Sequence, residues 1–211
     1  MGETADIGSS LLEARCDVSS EEDVRRLFAN VIAAHGRIDA LVNSAGVIEH
    51  VKRTIDQDLA DWERVMSVNA KGTFLCCREA GRSMVSQRSG AIVNIGSVAG
   101  LVGIPASNAY GPSKAAVAHM TRSLACEWAR FGVRVNCVAP GYIDAPMAHE
   151  LFDGNLAAQE AALKRVPMAR LGSADEIANV VLFLCSPLSS YVTGTVLPVD
   201  GGWTVFGGAS R

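Results

Sequence analysis

The sequence lacks the features that mark several large classes of protein. No apolar run approaches the ~18 residues that a membrane-spanning helix needs. The first residues lack the basic and apolar regions of a secretion signal. The net charge is -3 and there is no basic block, which argues against nucleic acid as the main partner. We therefore expect a cytoplasmic protein that binds neither membranes nor nucleic acid.

The chain also lacks the residue spacings of disulfide frameworks and metal sites. Its cysteines contain no Cys-x-x-Cys pair and lie within apolar stretches, so we expect small, buried and reduced side chains. Its histidines show no spacing typical of metal ligands, and we expect them on the surface or in packing contacts, with no metal bound. The residues concerned are Cys16, Cys76, Cys77, Cys126, Cys137, Cys185, His35, His50, His119 and His149.

The remaining composition is typical of one globular α/β domain spanning residues 1–211. Of the 211 residues, 49% are apolar, 19% are charged and 20 are glycine, which suits a compact chain with a sizeable core. Apolar runs and capping residues predict the order of elements. The predicted strands are 11–16, 40–43, 91–95, 133–138 and 195–199; the predicted helices are 19–35, 59–85 with a break near 69–72, 110–130 and 173–184, with loops and short helices across 142–170.

This alternation of buried strands and helices predicts a parallel sheet covered by helices on both faces. In such sheets ligands bind beyond the carboxyl ends of the strands. Most of the unusual residues of the chain fall at those ends, so we expect the functional site there. They are Asp17, Asn43 to Gly46, Ser97 and Pro140-Gly141.

Three residues form a candidate proton-transfer site. Tyr110 and Lys114 lie four residues apart, about one helical turn, so both side chains leave one face of a helix. A neighbouring ammonium favours the phenolate, so we expect Lys114 to lower the pKa of Tyr110 from its reference of about 10. That change would suit a general acid or base near neutral pH. Ser97 supplies a second hydroxyl that could hold a substrate oxygen while the proton moves.

The order of these motifs resembles the classical short-chain dehydrogenase/reductase family from about Leu11 to Trp203. A Tyr-x-x-x-Lys pair alone is a weak signal, whereas the whole set in the family's order and spacing is specific. The resemblance implies a Rossmann-like doubly wound parallel sheet and hydride transfer between NAD or NADP and a secondary alcohol or ketone. The matching segments are Asp17-Val18, Asn43-Ser44-Ala45-Gly46, Asn69, Ile95-Gly96-Ser97, Tyr110-x-x-x-Lys114, Asn136, Pro140-Gly141 and Asp200-Gly201-Gly202.

The resemblance also implies roles for the matching residues. Tyr110 would exchange the proton with the substrate oxygen, and Ser97 would hydrogen-bond that oxygen. Lys114 would lower the pKa of Tyr110 and hold the nicotinamide ribose, while Asn69 would support a water chain to Lys114. The expected cofactor-binding set is Asp17 and Val18 by the adenine, Asn43, Ala45 and Gly46 along the cleft, Tyr110 and Lys114, and Pro140, Gly141 and the Ile143 backbone by the nicotinamide.

Two further features follow from the resemblance alone. Residues 142–170 would form a substrate lid, and its apolar side chains suggest a moderately hydrophobic substrate. The family is commonly dimeric or tetrameric, so we expect a homodimer or homotetramer. Each site residue also has a structural interpretation: Ser97 could end its strand, Tyr110 could be a packed aromatic, Asn69 could bond to backbone, Asp17 could form a turn and Asn43 could satisfy neighbouring strands. Their joint spacing favours the functional interpretation.

The chain departs from the family pattern at its start. The family's Gly-x-x-x-Gly-x-Gly turn, which meets the cofactor pyrophosphate, has no counterpart in residues 1–20. By comparison with the family, the first β-α-β unit of roughly 40 residues is absent, which would expose one edge of the strand at 40–43. That edge could pair with the strand at 11–16, be covered by a partner chain, or indicate that Met1 is not the natural start. Ala145 stands where the family often has threonine, which should weaken cofactor binding somewhat.

Three functional interpretations remain open at this point. The first is the NAD(P)-dependent alcohol dehydrogenase or ketone reductase described above. The second is a catalytically inactive remnant that folds or oligomerises but binds no dinucleotide, as the missing glycine turn suggests. The third is a 3-oxoacyl-thioester reductase, which differs from the first only in substrate.

Overall fold

Helices and strands alternate along residues 13–152 and 154–207, the part of the chain that the computed structural model describes. A wider, π-helical turn (Ser67–Gly72) joins the second and third helices. The strands are β1 (Ala40–Asn43), β2 (Gly90–Ile95), β3 (Val133–Pro140) and β4 (Val196–Val199). The helices are α1 (Glu21–His35), α2 (Leu59–Met66), α3 (Thr73–Gln87), α4 (Tyr110–Trp128), α5 (Pro146–Phe152), α6 (Leu156–Leu163) and α7 (Ala174–Cys185).

The four strands form one parallel sheet in the order β1-β2-β3-β4. Its register pairs Asn43 with Asn94 and Ile95 with Val138. The carboxyl ends of β1, β2 and β3 therefore lie along one edge of the sheet, as parallel strands require. This confirms the predicted parallel α/β architecture and the four predicted strand positions, 40–43, 91–95, 133–138 and 195–199.

Helices cover both faces of the sheet, and the alternation of β2 shows how. Ile92 belongs to a buried cluster with Met84 of α3 and Ala125 of α4. Its neighbour Val93 belongs to another cluster with Leu184 of α7. Successive residues of a strand point to opposite faces, so α3 and α4 cover one face and α7 covers the other. The prediction of helices on both faces is confirmed.

The predicted strand at 11–16 is wrong for the residues that the structure describes. Residues 13–16 form no strand, and residues 11 and 12 lie outside the described part of the chain. The apolar side chain of Cys16 instead packs against Val24 of α1 and Leu75 of α3. Apolar character alone does not separate strand pairing from packing on helices. Among residues 13–16, then, nothing pairs with β1.

One outer edge of the sheet is formed by β1, and the other is formed by β4. Val42 is 44% exposed, while its neighbour Leu41 packs against the clusters under α1 and α3. Within residues 13–152 and 154–207, β1 pairs with β2 and with no other strand. The sequence-based expectation that the strand at 40–43 has one open edge therefore holds for this part of the chain.

Local capping chemistry sets the ends of the helices, with one correction. The N-cap of α1 is Ser20, whose Oγ accepts from the Asp23 backbone N–H, rather than Ser19 as predicted. The Ser19 hydroxyl is used differently, since it donates to the carboxylate of Asp17. The predicted capping box of α7 is confirmed, because Ser173 and Glu176 each accept from the other's backbone N–H.

The predicted break near 69–72 is a wide helical turn rather than an interruption of the helix. Thr73 closes it by donating its hydroxyl to the Asn69 carbonyl at 2.7 Å. Gly72 is needed there because a Cβ at this position would lie 2.8 Å from Cγ2 of Val18. The close approach anchors the segment before α1 against the turn that carries Asn69.

The cysteines and histidines largely match expectation. All six cysteines are free thiols, but Cys126 is exposed, which corrects the prediction that all are buried. It lies on the outer side of α4, where apolar neighbours in sequence do not imply burial. Among the described residues, no cluster of three or more His, Cys, Asp or Glu could hold a metal ion. The same residues include no helix whose length and apolarity would let it cross a membrane.

Candidate active site

The site lies where β1, β2 and β3 end. β1 leads to Ala45 and Gly46, β2 leads to Ser97, and β3 leads to Gly141. α4 then brings Tyr110 and Lys114 to the same edge, since the turn after β2 packs directly on its first turn. At Gly100 a Cβ would lie 2.7 Å from the Lys114 carbonyl carbon, so only glycine allows this contact.

Lys114 is a deeply buried charged group of the site. Its side chain is 4% exposed, and its ammonium donates to the Ile95 carbonyl at 2.8 Å. Burial disfavours the charged form and lowers the pKa of Lys114 from 10.5 to about 8. An ammonium has three N–H donors, and the described residues take one. The other two are available to hydroxyl groups of a ligand.

Gly46 leaves room beside Lys114. A Cβ at this position would lie 3.4 Å from Nζ of Lys114 and 3.5 Å from Oδ1 of Asn69. Any larger residue would therefore fill the space in front of both side chains.

Asn69 holds the loop that follows β1. Its Oδ1 accepts from the Val47 N–H at 2.9 Å, and its Nδ2 donates to the Val47 carbonyl at 2.9 Å and to Ser113 Oγ at 3.0 Å. Both amide hydrogens are therefore used within the protein. Asn69 fixes Gly46 and α4 relative to each other, in agreement with its structural interpretation.

Tyr110 is partly buried beside Ser97, and its pKa differs from the expectation. Burial raises the pKa of Tyr110 above its usual 10; a hydrogen bond with Ser97 lowers it, and the charge of Glu49 raises it further. The Lys114 Nζ lies 5.5 Å from the ring centroid and donates to a carbonyl rather than to the phenol. The predicted lowering by Lys114 is therefore wrong for this structure, because burial outweighs it.

Ser97 stands at the end of β2 with its hydroxyl in two uses. Its Oγ accepts from the Ala99 N–H at 3.1 Å and so caps the short turn after the strand. The same side chain lies close enough to Tyr110 to lower the pKa of the phenol. The structure thus brings together Ser97, Tyr110 and Lys114, the three residues that the sequence placed in one proton-transfer site.

Asp17 and Asn43 make structural contacts. The Asp17 carboxylate accepts from the Ser19 hydroxyl at 2.7 Å and from its N–H at 2.9 Å, and these bonds lower the pKa of Asp17. The Asn43 amide donates to Oδ1 of Asn94 at 2.8 Å. Asn94 in turn donates to Thr121, so Asn43 belongs to a polar chain between strands and α4.

The third strand end carries the remaining predicted residues. Gly141 donates to the Val199 carbonyl at 3.0 Å, and a Cβ on it would lie 2.8 Å from Asp200. Ile143 forms an isolated bridge with Gly172 and lines a cavity of about 310 Å³ that does not contain Tyr110, Ser97 or Lys114.

A second cavity lies next to the catalytic candidates. It has a volume of about 330 Å³ and contains Gly46, Val47, Glu49, Arg64 and Met147 among its lining residues. This cavity joins the loop after β1 to the start of α5. Its position beside Gly46 marks it as the more relevant of the two for a ligand.

Sequence reasoning missed two residues of the site. Glu49 is 3% exposed and accepts from the backbone N–H groups of Ala109 and Tyr110 at 3.2 and 2.9 Å. Ser113 receives the Asn69 amide and donates to the Tyr110 carbonyl at 2.7 Å. Glu49 lies in a loop with no periodic pattern, and its partners are some 60 positions away. No local signal could have identified it.

Comparison with known proteins identifies a family model and several relatives that match most of the chain. The family model described as enoyl-(acyl carrier protein) reductase matches residues 2–204. An uncharacterized short-chain type dehydrogenase/reductase of Sinorhizobium fredii is 42% identical over 93% of the chain, which spans 36% of that protein. The 3-oxoacyl-[acyl-carrier-protein] reductase FabG of Thermotoga maritima is 41% identical over 90% of the chain, which spans 75% of that protein.

Two similar solved structures contain nicotinamide dinucleotides. NAD+-bound xylitol dehydrogenase has a TM-score of 0.86 and 34% identity, covering 89% of this chain and 77% of its own. ElxO with NADP bound has a TM-score of 0.85 and 33% identity, covering 90% of this chain and 76% of its own. The fold of the present chain is therefore one that is seen with either coenzyme.

Proposed function

This chain belongs to the short-chain dehydrogenase/reductase family, and we propose that it transfers a hydride between NAD or NADP and a secondary alcohol or ketone. The observation that carries the proposal is that Ser97, Tyr110 and Lys114 meet at the carboxyl ends of the strands. Lys114 is buried there beside Gly46, which has no side chain to fill the space next to the ammonium. These three groups suit one task, the movement of a proton to or from a substrate oxygen.

In this mechanism the protein supplies a proton path and orientation. The Tyr110 hydroxyl gives its proton to the carbonyl oxygen during reduction and takes it back during oxidation. Ser97 donates a hydrogen bond to the same oxygen. The raised pKa of Tyr110 keeps the phenol protonated near neutral pH, which favours its use as an acid in ketone reduction. The nicotinamide, when bound, supplies or accepts the hydride.

The cofactor-binding residues are proposed by their place in the fold. Lys114, through its two remaining N–H donors, would hold ribose hydroxyls beside Gly46 and Ala45. Asp17 and Val18 would lie by the adenine, and Asn43 would support the cleft from the sheet. Pro140, Gly141 and the Ile143 backbone would face the nicotinamide. Gly2 and Gly8, the only glycines of the first 20 residues, lie outside the described part of the chain.

A test of the proposal uses substitution at Tyr110. Turnover of a ketone panel with NADH and NADPH should fall about 10²- to 10⁴-fold in Tyr110→Phe, the usual contribution of a general acid. Tyr191→Phe is the matched control, because this substitution also removes a tyrosine hydroxyl, but at a fully exposed position. Unchanged turnover in Tyr110→Phe would contradict the assignment.

A 3-oxoacyl-thioester reductase is a second candidate within the same chemistry. The T. maritima relative named as a 3-oxoacyl-[acyl-carrier-protein] reductase favours it. A panel that includes 3-oxoacyl thioesters beside simple ketones distinguishes the two. The ratio of kcat/KM values for thioesters and ketones decides the substrate class.

An inactive folded module is the alternative from a different class. The outer edge of β1 favours the inactive module. Among the described residues no strand pairs with that edge, so no strand there builds the neighbouring part of a cofactor cleft. Fluorescence titration of the chain with NADH and NADPH separates the alternatives. Saturable micromolar binding would contradict the inactive module, and its absence would contradict the enzyme.

The remaining features of the proposal concern the whole protein. Residues 142–170 would act as a substrate lid within a single domain, because α5 and α6 lie there and Tyr142 packs its ring 5.8 Å from Phe152. Six free thiols suit a reducing, cytoplasmic location. The open strand edge and several exposed apolar side chains suit a homodimer or homotetramer.

A further inference from the structure

The start of α4 is capped by a residue from a distant loop. The N-cap position is Ala109, whose side chain has no oxygen to accept a backbone N–H. Glu49 supplies both acceptors instead: Oε1 takes the Ala109 N–H at 3.2 Å and Oε2 takes the Tyr110 N–H at 2.9 Å. Its side chain is 3% exposed, so these bonds are shielded from water.

The other donors of this first turn are accounted for without Glu49. The Gly111 N–H donates to Ser107 Oγ at 3.0 Å, and Pro112 has no N–H. The Ser113 N–H reaches the Ala109 carbonyl at 2.8 Å, the first bond within the helix. The carboxyl group therefore serves Ala109 and Tyr110 alone. It holds the backbone of the very residue that carries the reacting phenol.

We infer that Glu49 is a positioning residue for Tyr110: it anchors the first turn of α4 and fixes the backbone that carries the phenol. This inference rests on the proposed role of Tyr110 in proton transfer. Two effects act through one side chain. Its two hydrogen bonds fix where the tyrosine backbone lies, and its negative charge near the phenol opposes formation of the phenolate. The charge is also favourable at the positive end of a 19-residue helix.

Several other charged or titratable groups lie near Glu49 and Tyr110. Lys114 faces Tyr110 from one helical turn further along α4. Arg64 of α2 donates to the Ile48 carbonyl and to Asp61, and Asp61 accepts from His50. Arg64 of α2 and His50 of the loop line the same cavity as Glu49. Any change in the titration of Tyr110 must therefore be compared with a variant that leaves them in place.

The experiment compares Glu49→Gln with Glu127→Gln in the unliganded chain. Both remove one negative charge, and Glu127 lies near the far end of the same helix, about 25 Å away at 1.5 Å per residue. The first readout is the tyrosinate absorbance during alkaline titration, with Tyr110→Phe subtracted to isolate Tyr110. The second is the amide hydrogen exchange of Ala109 and Tyr110.

In Glu49→Gln we expect the Tyr110 midpoint to move to lower pH and the two amides to exchange roughly 10- to 100-fold faster, the loss of a charged hydrogen-bond acceptor. Glu127→Gln should change neither. Unchanged titration and exchange in Glu49→Gln would overturn the inference. Equal acceleration along all of α4 would also overturn it, since that result reports general loss of stability.

A second measurement keeps the test decisive if Glu49→Gln does not fold. In Glu49→Asp, which keeps the carboxylate on a side chain one methylene shorter, the Ala109 and Tyr110 amides should exchange faster than in the unsubstituted chain. Equal exchange rates in the two chains would overturn the inference. None of these readouts requires turnover. A chain that fails the Tyr110→Phe activity test but passes these would contradict the proposed function and leave the anchoring by Glu49 established.

Discussion

Lys114 is buried and Tyr110 is partly buried, and burial acts on their pKa values in opposite directions. Burial lowers the pKa of the lysine to about 8 and raises that of the tyrosine. In both residues it disfavours the charged form, which is the ammonium of the lysine and the phenolate of the tyrosine. Sequence spacing identified the two residues but suggested only their mutual attraction. Desolvation depends on the packing of many distant side chains, and so it could not be read from a four-residue motif.

Lys114 makes stability depend on pH in a predictable direction. Its folded pKa of about 8 lies below the usual 10.5, so the buried charge costs stability below pH 8 and this cost is lost as pH rises toward 10.5. The free energy of unfolding of the native chain relative to Lys114→Met should rise by up to about 3 kcal/mol across that window. Urea unfolding of both chains at several pH values measures it. A difference that stays flat with pH would contradict the buried ammonium.

At the scale of the elements, two glycines and one asparagine hold separate segments together around the site. The turn after β2 reaches α4 through Gly100, and the wide turn between α2 and α3 reaches the segment before α1 through Gly72. Gly100 is needed for contact with the backbone of α4 and Gly72 for contact with Val18, and neither is needed for an unusual φ. Asn69 then ties the loop after β1 to Ser113 of α4.

Gly100 gives a test at this scale. A Cβ there would meet the backbone of Lys114 and Ala115 at 2.7 and 2.8 Å, and backbone atoms cannot move aside as a flexible side chain can. Gly100→Ala should therefore destabilise the protein by about 1–3 kcal/mol, the usual cost of overpacking. Gly103→Ala is the matched control, because its Cβ would meet nothing within 4 Å. Equal midpoints of urea unfolding for the two variants would count against the close contact.

Most element positions could be predicted, and the exceptions have physical reasons. The strands at 40–43 and 91–95 and the capped helix after Ser173 follow from apolar runs and a capping box, which are local signals. The strand predicted at 11–16 failed for residues 13–16 because Cys16 packs on helices. The α1 cap moved by one residue because two adjacent serines offer the same chemistry, and only Ser20 has the backbone geometry to use it.

At the scale of the whole molecule, the exposed apolar side chains identify candidate surfaces for association between chains. Val42 of β1 is 44% exposed at the open edge of the sheet, and Tyr191 and Leu188 are exposed near the end of α7. An edge strand with free backbone groups is a common site of association between chains. Within residues 13–152 and 154–207, β1 is one of the two edge strands of the four-stranded sheet, with β4 at the other edge.

Association through this edge can be tested with a charge. Val42→Lys should lower self-association measured by sedimentation, since a lysine on an edge strand opposes pairing. The free energy of unfolding should change by no more than about 0.5 kcal/mol, because the side chain is partly exposed. Val51→Lys is the control, since Val51 is 64% exposed in a loop outside the sheet. If only the control changes the association state, the β1 edge is not the contact.

The sequence by itself determined the parallel α/β class, the order of most elements and the identity of Ser97, Tyr110 and Lys114. Those depend on periodicity, capping residues and spacing, all of which are local. Only the tertiary structure decided the proton affinities of the site, the use of Asn43 and Asn69 in structural hydrogen bonds, and the anchoring of Tyr110 by Glu49. Each of these depends on burial or on contacts between residues far apart in the chain, which arise only when the elements pack together.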